Sequence, residues 1–90
     1  MTRAVDVTVT GQVQGVSFRY YAQEQARRLG VAGWVRNEPD GSVTVHLEGD
    51  EESVQMMVAW CREGPSSARV EDVSVRDAEP TGATGFDVRG

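Results

Sequence analysis

The chain has 90 residues, 39% of them apolar and 26% charged, which suits one hydrophobic core and excludes both a disordered chain and a multi-domain one. Nine arginines against 14 acidic residues leave a net charge of −5, which opposes nucleic acid or an anionic membrane as a partner through bulk charge. Lysine is absent, which removes Walker-type phosphate binding and Schiff-base chemistry, so any anion site must be local and built on guanidinium.

Residues 5 to 10 alternate Val5, Val7 and Val9 with Asp6, Thr8 and Thr10, the period of a strand with one buried face. A loop, Gly11 to Gly15, follows. Phe18, Ala22, Ala26 and Leu29 then trace one helical face, and Gly30 is the expected stop. Val31 to Asn37 reads as a second strand and Val43 to Glu48 as a third, with Pro39, Asp40 and Gly41 supplying the turn of a hairpin. Asp50 is placed to cap a second helix with the stripe Val54, Met57, Val58 and Cys61, ended by Gly64 and Pro65. A fourth strand covers 69 to 76, where the apolar parity shifts between Val70 and Val73 and predicts a bulge. Phe86 and Val88 mark a short last strand.

This β-α-β-β-α-β order predicts an α+β, ferredoxin-like sandwich, an antiparallel sheet covered on one face by two helices, over a single domain of residues 1 to 90. A right-handed crossover makes strands 1 and 2 parallel, with strand 3 between them. Their ends then share one sheet edge, about 10 Å apart, a gap that fits a phosphoryl group and one water. The Gly15-Val16-Ser17-Phe18 loop, Arg19 in the first helical turn and Asn37 at the end of strand 2 meet there. A helix N-terminus offers unpaired N–H groups and a positive dipole to an anion, and Arg19 adds a two-pronged donor. Each feature alone has an ordinary explanation: Ser17 as a cap, Arg19 as a solvated charge, Asn37 as turn chemistry. Their convergence, with Arg19 and Asn37 18 positions apart, makes the edge the candidate site.

Other constellations point elsewhere. His46 would lie about 15 Å from Ser17 along strand 3, too far for a nucleophile and base. Asp50, Glu51 and Glu52 complement a helix dipole, so no metal is assigned. Cys61 falls on an apolar stripe and cannot close an intrachain disulfide. Trp34 and Trp60 read as core or sheet-face packing. With no signal-like or membrane-length apolar run, the cytoplasm is the expected compartment, and the chain is separately expected to be a monomer.

The run from Val9 to Arg19, VTGQVQGVSFR, and the run from Gly33 to Val43, GWVRNEPDGSV, closely resemble the two signature stretches of the acylphosphatases. The resemblance implies an enzyme that hydrolyses acyl phosphates to a carboxylate and inorganic phosphate without metal or cofactor. It matches Arg19 to the family's phosphate-binding arginine, Asn37 to its water-orienting asparagine, and Gly15, Val16, Ser17 and Phe18 to its phosphate-cradling backbone. It gives Ser17 no nucleophilic role. The alternative reading, from the same fold's use elsewhere, is a non-enzymatic phosphate-binding or regulatory module. The pair of Arg19 and Asn37 weighs against it.

Overall fold

The computed structural model describes residues 2–90. β1 (Thr2–Gln12) carries the predicted alternation, with Val5, Val7 and Val9 fully buried. Each such valine contributes roughly 2 kcal/mol of apolar burial. The strand outruns its alternating segment because it has a partner on both sides, Thr2 opposite Asp50 at one end and Gln12 opposite Arg69 at the other. Pairing lengthened it.

α1 (Phe18–Leu29) buries Phe18, Ala22 and Ala26 and ends at Gly30, whose left-handed backbone lets its N–H reach the Ala26 and Arg27 carbonyls. β2 (Ala32–Asn37) and β3 (Val43–Asp50) form the predicted hairpin. Its turn is tied by the Ser42 N–H and hydroxyl, which both donate to Asp40 Oδ1 at 2.9 and 2.6 Å. Within β2, Gly33 is dictated by close approach: a Cβ there would stand 1.7 Å from the His46 carbonyl oxygen. α2 (Glu51–Glu63) follows β3 without a loop, its first turn capped by the Asp50 carboxylate, which accepts from Glu52 N–H at 3.2 Å.

β4 (Arg69–Asp77) pairs with β1, and the bulge falls where the parity shift put it: Thr10 faces Asp72 and Gly11 faces Val70, which leaves Glu71 as the extra residue. β5 (Phe86–Arg89) lies parallel to β2. The sheet, in order β4-β1-β3-β2-β5, is therefore mixed at this one edge, where a wholly antiparallel sheet was expected. The eight residues 78–85 carry the chain from β4 across to the far edge, a crossing that no local pattern announces.

Both helices cover one face, α1 over β2 and β5, α2 over β1, β3 and β4. Between them and the sheet lies one core that includes Phe18, Leu47, Met57 and Cys61. Burial pushes the Cys61 thiol up to about 12, which leaves it inert. Trp60 packs its ring against Phe18 at 5.2 Å, while Trp34 stacks on His46 at 5.7 Å on the opposite sheet face.

Candidate active site

β1 and β2 end at the same edge, separated by β3, as the crossover requires. From the end of β1 the chain turns into α1 through two left-handed residues, Gly15 with φ 73° and Ser17 with φ 63°. Nothing lies within 4 Å of where a Gly15 Cβ would be, so the glycine is demanded by backbone conformation and not by crowding. Ser17 is the one described non-glycine residue with positive φ, and its side chain makes no cap hydrogen bond. That conformation costs about 1 kcal/mol or more and marks a loop shaped for something other than helix capping. The helix ladder starts with Tyr21 N–H donating to the Ser17 carbonyl at 3.1 Å, so the amides before it have no carbonyl of the helix to bond.

The loop is fastened on two sides. Gln14 Nε2 donates to the carbonyls of Glu38 and Ser42, at 2.7 and 2.8 Å, and so ties the loop to the β2–β3 turn just beyond Asn37. Ser67 Oγ donates to the Val16 carbonyl at 2.7 Å from the α2–β4 connection. Loop and hairpin thereby hold a fixed separation.

Between them opens a cleft of about 470 Å³, lined by Val13, Gly15, Ser17, Phe18, Arg19, Tyr20, Asn37 and Val88. Arg19 is its only charged side chain. Arg19 Nη1 donates to the Arg89 carbonyl at 3.0 Å, and no described carboxylate lies within ion-pair distance of it. The remaining donors of that fork are uncommitted. Asn37 Oδ1 is buried and has no hydrogen-bond partner, a state that costs about 1–3 kcal/mol. The neighbouring charges are spent on each other: Arg36 Nε and Nη2 both donate to Glu38 Oε2, at 3.1 and 3.0 Å, and Thr44 donates to the same oxygen at 2.6 Å. The Thr44 hydroxyl, followed by Arg36, holds the Glu38 carboxyl below its ordinary value, so it stays an anion locked to Arg36.

Of the residues read from the sequence, Gly15, Ser17, Phe18, Arg19 and Asn37 meet in this cleft. Val16 does not line it: its side chain packs on the core, and its carbonyl is taken by Ser67. The Phe18 ring is likewise core, so both residues can offer the cleft only backbone. His46 and Cys61 lie outside it. Sequence reasoning gave no part to Gln14, Tyr20, Val88 or the Arg89 carbonyl. Gln14 sat inside the quoted run, but its partners are two carbonyls far along the chain, and β5 reaches the site only through the sheet order.

The family model of the acylphosphatases matches residues 5–88. The chain belongs to the acylphosphatase family. It is 63% identical over 89 residues to the acylphosphatase of a Nocardioides species, covering 99% of this chain and 90% of that protein. The crystal structure of the Bacillus subtilis acylphosphatase superposes with a TM-score of 0.94 at 35% identity and complete coverage of both chains. Full-length HypF, in a phosphate- and nucleotide-bound form, matches with a TM-score of 0.92 at 25% identity, but this chain spans only 12% of it. The chain is accordingly an acylphosphatase, an enzyme that hydrolyses the carboxyl–phosphate bond of acyl phosphates to a carboxylate and inorganic phosphate.

Proposed function

We propose that the cleft grips the phosphoryl group of the acyl phosphate in the amide cradle of residues 15–19, beside the Arg19 guanidinium, while the Asn37 carboxamide aims a water molecule at phosphorus. The observation that carries this reading is that Asn37, whose Oδ1 the fold leaves without a partner, lines the same cleft as a guanidinium with donors to spare. An acceptor beside an anion site suits water and repels phosphate oxygens, and a neutral amide can fill that place where a carboxylate would clash with the dianion.

The chemistry asks little more of the protein. The water oxygen forms its bond to phosphorus as the bond from phosphorus to the acyl oxygen breaks, and that electron pair leaves on a carboxylate. The conjugate acid of this leaving group has a pKa of about 4, so it departs without a general acid. Charge on the equatorial phosphoryl oxygens is met by loop N–H groups and by Arg19. The water's proton passes to a phosphoryl oxygen of the substrate, since no side chain that lines the cleft is a base. Lysine in place of Arg19 would lose the planar two-pronged grip.

No metal or cofactor enters this scheme, and turnover of benzoyl phosphate is expected to survive a chelator. Inorganic phosphate is expected to compete with substrate, because product and substrate share the cradle, and Arg19→Ala to abolish that competition. Activity that vanished on chelation, or phosphate inhibition that outlived Arg19→Ala, would contradict the scheme. The reading also has the chain working as a monomer in the cytoplasm, a compartment that suits its single free thiol, Cys61. Sedimentation of the full chain checks the first of these.

A further inference from the structure

The cleft is carried by two pieces of chain that the sheet stops joining just short of it. β1 pairs with β3 as far as Val9 opposite Val43, and β2 pairs with β3 as far as Asn37 opposite the same Val43. Beyond that rung Thr10, Gly11 and Gln12 pair with β4 alone. Among the described residues, the only hydrogen bonds from the 13–17 loop to the β2–β3 turn are the two that Gln14 donates, and they grip the residues that flank the rung, Glu38 after Asn37 and Ser42 before Val43. Both carbonyls already accept a backbone N–H, Ser42 from Glu38 at 2.8 Å and Glu38 from Gly41 at 3.1 Å. The turn therefore closes without Gln14, which nonetheless spends both of its donors there.

We infer that Gln14 is a positioning residue for the hydrolysis: its carboxamide sets the separation between the phosphate cradle and Asn37, and with it the distance and line along which water reaches phosphorus. The inference rests on the roles proposed above for the cradle and for Asn37. Gln14 does not line the cleft, so it acts through its chain neighbour Gly15 on one side and through Glu38, next to Asn37, on the other. Gripping the phosphoryl group needs only the loop amides and Arg19, which lie on one piece of chain. Attack by water needs both pieces in register, and a misplacement of about 1 Å costs about a hundredfold in rate. Gln14 therefore serves the chemical step and leaves the binding of phosphate to the loop.

The test is a double-mutant cycle on the full chain with benzoyl phosphate: the parent, Gln14→Met, Asn37→Ala and the two combined. Methionine keeps the length of the side chain and removes both donors. Gln14→Asn, which keeps the amide but falls short of the turn, is read in the same way if Gln14→Met folds poorly. Gln14→Met is expected to lower kcat about tenfold in the parent, with KM and the inhibition constant of inorganic phosphate changed by less than about twofold. Once Asn37 is alanine, the same substitution is expected to lower kcat by less than about twofold, because a water that nothing aims cannot be misplaced. An equal loss in both backgrounds, a loss that falls on KM and phosphate inhibition instead, or a kcat that neither Gln14 variant changes overturns the inference. Phosphate that failed to compete in the parent, or Asn37→Ala turning over as fast as the parent, overturns the cradle and water reading and this inference with it.

Discussion

Two polar clusters of this molecule differ in one respect, the balance of donors and acceptors. On the sheet face away from the helices, His46 sends Nδ1 to Asp6 at 2.6 Å and Nε2 to Glu48 at 2.5 Å. Glu48 also accepts from the backbone N–H and hydroxyl of Thr81 and from Gly82 N–H, which straps the 78–85 crossing against the sheet. Every acceptor and donor at its centre is met, and the cluster holds the fold together. At the β1–β2 edge the sum does not close: Asn37 Oδ1 has no partner, Arg19 spends one bond on a carbonyl, and Ser17 holds a strained backbone. A polar cluster complete in itself has nothing left for a ligand, whereas an incomplete one held in place by the rest of the fold does.

Substitutions at the two places should therefore fail in opposite ways. The largest effect is expected from Arg19→Ala, a loss of about a thousandfold in kcat/KM for benzoyl phosphate with the unfolding midpoint little changed. Asn37→Ala should lower kcat about a hundredfold with a smaller change in KM, and should hold or raise stability by about 1 kcal/mol, since it deletes an unsatisfied buried oxygen. Urea unfolding beside steady-state kinetics reads both; a marked drop in stability for Asn37→Ala would put that side chain in the structural class and dissolve the contrast. Glu48→Gln is the reverse case, with stability down by about 2 kcal/mol, or about 10 °C in melting temperature, and kcat per folded molecule close to the parent's.

The smallest effect is in the pH dependence of stability. Burial alone would raise the Glu48 carboxyl, but the hydrogen bonds from Thr81, His46 and Gly82 outweigh it and hold it at about 2, below its ordinary 4.5. Its contribution is thus complete above about 4.5 and is lost as pH falls toward about 2. Burial likewise opposes the His46 imidazolium, yet its bonds to Asp6 and Glu48 raise it above the ordinary 6.5, so its contribution is complete below 6.5 and is lost as pH rises through the elevated value. Unfolding midpoints across pH should show a plateau with both shoulders, and Glu48→Gln should flatten the acid one. Arg19→Ala, which touches no member of the His46 and Glu48 cluster, should leave the profile's shape as it is.

Much of this was open to inspection in the linear chain, and the parts that were not share a cause. The alternation of Val5, Val7 and Val9, the spacing of Phe18, Ala22 and Ala26, the Asp50 cap and the parity shift before Val73 each report a local period or a local bond. Asn37 and Arg19 could be brought together because a crossover has one hand. Nothing local showed β5 beside β2, since four residues with one buried side chain are too short to name a neighbour. Nor did anything local mark the partners of Gln14, the Arg89 carbonyl behind Arg19, or the strap on Glu48. Asp6, His46 and Glu48 did share one parity on adjoining strands, a signal that they would stand together on the open face.

The sequence by itself determined the elements, their order, the covered face of the sheet and the presence of Gly15, Arg19 and Asn37 at the edge where β1 and β2 end, because periodicity, capping and turn chemistry act within a few residues. Only the tertiary structure decided which groups were satisfied: that the Asn37 oxygen was left unpartnered, that His46 and Glu48 were not, and that Tyr20 and Val88 came to share a wall. Satisfaction depends on what arrives from distant parts of the chain, and those arrivals are settled by sheet order and by packing.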